Sequence, residues 1–448
     1  MPIVEFVGSS RSDSDNQTAN PARLVNYYRE NLGERRVLKS VPGMVQFADL
    51  NTVLGYAMRT VNGVLYVAAG GGLYRDDKDG TSTSLGEIPA DPDTTMDGYV
   101  DNVTITAGGR YYVYNGSTLT QYSVGALDNI GSVTFLSGYT ILTEKGGSKF
   151  EWTDLQNPAS RNALNVASAE GRDDFLLRGM ALGGNLYLFS TKSTEIWALT
   201  GLAGADAFQR LGGGVIDRGL KAKNLITDVD GSLFFVGNDN VAYLMGGTSL
   251  RPVSAPAVET AIKQGEPTNC FYYEDEGHKF CVIRFKDRPS WVFDIAMGEW
   301  HERATGLDLM PWSVAAAERA YDTWYGVDNL GIVASLDGPP EDLSKTMRRV
   351  ATSMTLDQGA RLRVPLTEVR ARSGFSNLGR EAKIMLETSK DRGATWGATK
   401  QRSIGKQGGY GDRAVWRGLG QFRSFTSRIS QADNVDLPLF ADMWVETA

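Results

Sequence analysis

The chain has 448 residues, 42% of them apolar and 22% charged, with a formal net charge of −7. This is the composition of a soluble globular protein with ample core, and the length predicts two or three domains. No run approaches the roughly 18 apolar residues of a membrane span, and MPIVEFVGSSRSDSDNQ lacks the basic and apolar regions of a signal peptide, so no membrane anchor is expected.

The first thirty-five residues are polar, with a helix or strand candidate around Ala22 to Asn31. From residue 36 to about 337 one phrase then repeats: a Gly/Asp/Asn turn, an apolar-aromatic strand, a second turn and a second strand. It occurs at 61–76, 103–123, 135–155, 181–201, 228–247, 277–303 and 317–338. The repeats lie mostly forty-odd residues apart, with one shorter interval between the second and third. A period near forty with about four strands per unit is the pattern of β-propeller blades. Seven phrases predict six or seven blades. The 51 glycines, spread along the chain, supply the turns. One short helix is expected at Ala255 to Lys263, between blades.

Composition shifts at Gly338-Pro339-Pro340. Residues 346–448 carry 17 Lys/Arg and 10 Asp/Glu, leaving 29 and 43 in the rest, so a basic C-terminal part follows an acidic repeat region. Alternation such as Arg361-Leu-Arg363-Val and Arg370-Ala-Arg372 puts charge on one strand face and apolar residues on the other. The segment 346–448 is therefore expected to be a β-sandwich, with strands at Ala382–Thr388, Ala414–Gly418, Phe425–Ser430 and Phe440–Glu446. The fold class is all-β: a β-propeller over 36–345 followed by a β-sandwich platform, with 1–35 as an N-terminal segment joining the platform.

Chemistry-bearing motifs are few. Ser389-Lys-Asp391-Arg-Gly393-Ala-Thr-Trp396 fits S-x-D-x-G-x-x-W, the Asp-box hairpin of sialidases and other propellers. In that turn Asp391 caps backbone amides, Gly393 takes a positive φ and Trp396 packs beneath. A sialidase also needs an arginine cluster and a Tyr/Glu pair on propeller strands, whereas arginines here are concentrated after 346. Gly409-Tyr-Gly411-Asp-Arg-Ala414 precedes a strand rather than the helix that phosphate binding requires. Asp228-Val-Asp230-Gly231 and Asp76–Gly80 lack the remaining ligands of a calcium loop. His278 and His301 lack companions at zinc spacing. The basic-aromatic run Arg413–Arg423 is accounted for by strand alternation. Cys270 and Cys281 would face each other across a hairpin centred on Asp275-Glu276, and they are expected to be buried, reduced thiols. No catalytic, cofactor or metal site is expected.

Taken in order, the phrases resemble the packaged-DNA stabilisation proteins of short-tailed phages, also called tail hub or nozzle proteins. The resemblance runs through Asn26 and Glu30, through Pro42-Gly43 as the family's Pro-Gly entry into the first blade, and through Ser193-Thr-Glu195-Ile-Trp197 to Gly201. It continues through Gly277-His278, Asp294 and Gly298-Glu-Trp300, and ends at Val415-Trp416-Arg417-Gly-Leu-Gly420-Gln-Phe-Arg423. It implies a non-enzymatic virion protein, made in the host cytoplasm and assembled as a homo-oligomer, usually a hexamer. Such a ring sits below the portal and its adaptor, closes the head after packaging and retains DNA. It passes the double-stranded genome through its lumen without reading sequence, and tail spikes, fibres or a needle attach to it. Arg361, Arg363, Arg370 and Arg372 are the candidate contact to the adaptor or a neighbouring subunit. The competing readings are a glycan-binding or sialidase-like propeller, on the strength of the Asp-box, and a propeller scaffold for peptides.

Overall fold

A computed structural model describes residues 3–6, 21–33, 35–376 and 378–447; the rest of the expected N-terminal segment lies outside the described residues. Five stand-alone four-stranded antiparallel sheets span residues 55–87, 95–121, 130–168, 176–216 and 226–252, here blades 1 to 5. Blade 6, residues 267–305, is also four-stranded, but its last strand pairs onward into a long sheet. Blade 7 takes three strands from 314–338 and its outer strand from Gly43–Asp49. Each of the seven repeats is thus one blade. Six lie in sheets of their own, and the sixth in order is merged with the C-terminal domain.

The local causes are plain. Val64–Ala69, Asn185–Ser190 and Ser232–Val236 are buried almost throughout, because blade strands are covered on both faces by neighbouring blades. Two-residue turns with both φ angles positive join strands at Asn62-Gly63 (49°, 75°), Asp230-Gly231 (47°, 72°) and Glu276-Gly277 (46°, 86°). That geometry suits a twisted hairpin. Apolar clusters then cross from blade to blade, such as Phe150, Trp152 and Trp197 between blades 3 and 4. The helix Pro256–Gln264 packs Val258 and Ile262 between blades 5 and 6.

Three sequence expectations need correction. Pro42-Gly43 leads not into the first blade but into the outer strand of the last, which closes the propeller and removes two open sheet edges. A Cβ at Gly43 would stand 1.8 Å from the Pro339 carbonyl oxygen, so only glycine lets the two passing backbones meet. The hairpin of blade 6 turns one residue later than expected, so Cys270 opposes Ile283 and Cys281 opposes Tyr272. Both cysteines are free and buried. Finally, Ala414–Gly418 and Phe425–Ser430 are one strand, Arg413–Gln431. Gly418 and Gly420, at φ 66° and 107°, bend it without ending it.

That strand organises the C-terminal β-sandwich. Its first part pairs with Leu356–Ala371 across two register shifts, and its last part pairs with Arg349–Thr352 and Lys383–Ser389. A strand that changes partners in this way turns the corner between two packed layers. Trp416, Phe422, Phe425 and Ile429 line the core between them. The N-terminal strands belong to the same sheet system: Tyr27–Leu32 pairs with Arg35–Ser40, which pairs with Leu439–Glu446.

Candidate functional site

The densest polar chemistry lies where the propeller meets the sandwich. The strand Arg23–Val25 runs between the last strand of blade 6, parallel at Val25↔Glu302, and Arg349–Thr352 of the sandwich. Asn26 follows it at φ 56°, fully buried. Its Nδ2 donates to the Arg348 carbonyl at 2.8 Å, and its Oδ1 accepts from the Ala304 amide at 2.9 Å and Arg303 Nη1 at 3.1 Å. Arg303 is itself fully buried. It pairs with Asp342 at 2.7 Å, donates to the Pro42 carbonyl at 3.1 Å and lies 4.8 Å from the Trp312 ring centre. Beside it, Arg23 grips Glu302 with two bonds of 2.6 and 2.7 Å. Five separate chain segments therefore meet at one guanidinium and one amide.

The two histidines belong to this joint. His278 Nδ1 lies 2.7 Å from Asp294 Oδ2, and its ring packs edge-on against Tyr28 of the N-terminal strand at 4.7 Å. His301 is buried on the last strand of the same blade, 5.4 Å from the Phe280 ring, and burial pushes it down to about 3. A histidine that stays uncharged at neutral pH and faces aromatic rings is packing material.

The other family-pattern residues are distributed. Glu30 lies 3.2 Å from Lys39, which also reaches Glu276 beside Gly277. Glu195 is buried and accepts from Trp197 Nε1 at 2.8 Å and the Gly171 amide at 2.5 Å, fixing the rim of blade 4. Gly201, at φ 83°, turns the chain after that strand. Trp300 Nε1 donates to the Val253 carbonyl at 2.8 Å and ties blade 6 to blade 5. Trp416 Nε1 donates to the Lys400 carbonyl at 2.9 Å, and Arg423 on the same strand is exposed. These residues do not converge on one place.

The Ser389–Trp396 turn lies in the sandwich, not on the propeller. Ser389 Oγ accepts from the Gly393 amide at 2.8 Å, and Asp391 Oδ1 accepts from the Thr395 amide at 2.8 Å. The Ser389 hydroxyl, donating to Asp391 Oδ1 at 2.6 Å, and then the Thr395 hydroxyl and amide hold the Asp391 carboxyl down at about 2. Gly393 has φ 90°. Trp396 is half-buried, with the Arg428 guanidinium 4.2 Å from its ring centre.

The four candidate contact arginines divide into two kinds. Arg361 and Arg363 are exposed and make no ion pair among the described residues. Arg370 pairs with Glu368 at 2.6 Å and stacks over Trp444 at 5.0 Å, while Arg372 lies 4.6 Å from the Phe375 ring. Although arginines are concentrated after 346, three earlier ones come together in space. Arg59, Arg178 and Arg284, far apart in sequence, all line one cavity at the propeller axis. A charged residue between apolar neighbours within a strand, as in Ile283-Arg284-Phe285, was the signal for it. No helix among the described residues is long and apolar enough to cross a membrane, and no metal-ligating cluster occurs among them.

With this geometry in view, comparison with known proteins is specific. Residues 1–334 match the family model described as "Bacteriophage P22 Gp10, beta-propeller". Residues 347–438 match the one described as "Bacteriophage P22 Gp10, beta-sandwich". The chain is 21% identical over 284 residues to the tail hub protein gp10 of Salmonella phage P22, covering 59% of this chain and 58% of that protein. It therefore spans under two thirds of the relative's length. Among solved structures it is similar to BBS1N in complex with ARL6DN, at 11% identity and a TM-score of 0.44 over 68% of this chain and 100% of that one. It is also similar to BamB from Moraxella catarrhalis, at 13% identity and a TM-score of 0.39 over 75% and 97%. Overlaps that loose add nothing to the topology described above.

Proposed function

We infer that this chain, which belongs to the bacteriophage P22 Gp10 family, is a structural component of a phage tail. We propose further that copies of it form a ring below the portal and its adaptor, retain packaged DNA and supply the conduit for ejection. The observation that carries this reading is the succession of the two family matches over a propeller and a sandwich locked together by a buried joint. Physical chemistry supports it. A ring that withstands internal pressure needs modules with protected edges and rigid connections, and the closed propeller and the Asn26–Arg303 node have both properties.

The conduit would be the space between copies. Each propeller's own axis is occupied by side chains around a cavity of about 350 Å³. That is too small for a duplex whose major groove alone is about 12 Å wide. An acidic propeller surface facing the lumen would let phosphate slide, since a basic one would hold it in a salt-dependent way. On the platform, exposed Arg361 and Arg363 are proposed to dock an acidic face of the adaptor or a neighbouring copy.

The test is the mass of the purified chain in solution, alone and with its adaptor, for wild type and the Arg361→Glu/Arg363→Glu double variant. A closed oligomer in at least one condition is expected, weakened by the double variant at physiological salt. A strict monomer in both conditions would sink the ring. The Asp-box and the axial arginines favour one second reading, a glycan-binding propeller. No tyrosine hydroxyl is hydrogen-bonded to Glu318 in that cavity among the described residues, and its carboxylate instead accepts from the Thr60 amide at 3.2 Å. Hydrolysis of a sialoside panel, abolished by Arg178→Gln, would establish that reading over the structural one.

A further inference from the structure

Arg59, Arg178 and Arg284 reach the propeller axis from blades 1, 4 and 6 and share the lining of the cavity with Asp93, Asp228 and Glu318. Their partners differ. Arg59 has a carboxylate, Asp97, at 3.0 Å. Among the described residues the Arg178 side chain has only the Asn224 side-chain oxygen, at 3.0 Å from Nη1. Arg284 has, among the described residues, only the Thr268 hydroxyl at 3.2 Å and the Asn329 side-chain oxygen at 2.7 Å. The Nε donors of Arg178 and Arg284 are buried and have no acceptor among the described residues. Next to them, the Lys223 ammonium donates to a backbone carbonyl, that of Asp93.

Two cations in one partly enclosed space, Arg178 and Arg284, are therefore met directly by neutral acceptors. None of the three carboxylates on the lining, Asp93, Asp228 and Glu318, pairs with Arg178 or Arg284 among the described residues. Asp228 is exposed, and burial pushes Glu318 up to about 7, which leaves it partly neutral at physiological pH. The strain registers on the cations too: burial pushes Arg178 down to about 10 and Lys223 down to about 8. A buried cation without counter-charge is costly, and a guanidinium fork matches the spacing of oxygens on a tetrahedral anion.

We propose that this cavity binds a small oxyanion of the phosphate class, held by the guanidinium groups of Arg178 and Arg284. The ion supplies acceptors to both buried Nε groups and links blade 4 to blade 6 across the axis. The site is independent of the tail reading, because it uses only groups inside one propeller.

Calorimetric titration of the intact chain with inorganic phosphate, at constant ionic strength set with chloride, tests it. Saturable binding is expected for wild type and at least about tenfold weaker binding for Arg178→Gln, which loses a charge-assisted bond. Asn224→Asp is the second variant. It sets a carboxylate in place of the amide 3.0 Å from Arg178 and supplies the counter-charge internally. The variant is expected to fold and to lose phosphate affinity to a similar degree, so it decides the matter alone if Arg178→Gln does not fold. Competition with a nucleoside 5′-monophosphate separates the two sources: displacement assigns the site to an ester, and its absence to the free ion. No saturable binding by wild type, or unchanged affinity in both variants, overturns the proposal.

Discussion

Replacing Asn26 by alanine should uncouple the propeller from the sandwich. The side chain makes three bonds, to the Arg348 carbonyl, the Ala304 amide and the Arg303 guanidinium, and every one is at least partly buried. Leaving such groups unsatisfied costs about 1 kcal/mol or more each. The residue also holds φ 56°, where a Cβ without a hydrogen-bonding side chain costs about 1 kcal/mol more. The expected loss is therefore about 4 kcal/mol for Asn26→Ala and about 3 kcal/mol for Asn26→Gly, which removes the bonds but relieves the backbone. Arg303→Met strands Asp342, 2% exposed, without its partner, at a cost of about 3–5 kcal/mol. Because Asn26 and Arg303 share a bond, the double variant should lose about 1 kcal/mol less than the sum. Urea unfolding measures the totals. Hydrogen exchange read by mass spectrometry locates them: Arg23–Val25 and Arg349–Thr352 should lose protection while blade 3 keeps it. Full stability in Asn26→Gly, or equal loss of protection in blade 3, would refute the account of the joint.

Further outcomes follow from buried titratable groups. The raised carboxyl of Glu318 means that the unfolded chain gives up its proton first. Its penalty is thus absent below pH ~4.5 and complete above pH ~7, with a ceiling of about 3 kcal/mol. Glu318→Gln should stabilise the protein at pH 8 and not at pH 4, as denaturant midpoints will report. His301 has the opposite sign, because the unfolded chain takes up a proton that the folded chain refuses. Stability should fall by about 2 kcal/mol between pH 6.5 and 5, and His301→Phe should flatten that slope. Burial pushes both Cys270 and Cys281 upward, so neither should react with a thiol reagent at pH 8 until urea unfolds the chain. Rapid labelling of the native protein would contradict their placement.

Much of this architecture is written in short-range patterns. A hairpin turn and the strands beside it are set by residues within a dozen positions of each other. Asn62-Gly63, Asp230-Gly231 and Glu276-Gly277 therefore announce blades wherever they occur, and seven such phrases are seven blades. The shift from acidic repeats to alternating arginine strands after Pro340 likewise marks the sandwich, and the buried thiols follow from two apolar strands. A pattern cannot reveal which distant segments exchange partners. The outer strand of the last blade comes from Gly43–Asp49 because closing a ring satisfies two edges at once, a gain that no local window contains. The long strand Arg413–Gln431 continues through two glycines because two different layers hold its halves. Asn26 and Arg303 stand 277 positions apart, and Arg59, Arg178 and Arg284 lie on three different blades. Sequence by itself determined the repeating unit, because turns and strand periodicity act over a few residues. Only the tertiary structure decided what the units share, because ring closure and buried charge are settled between segments that meet only once the chain has folded.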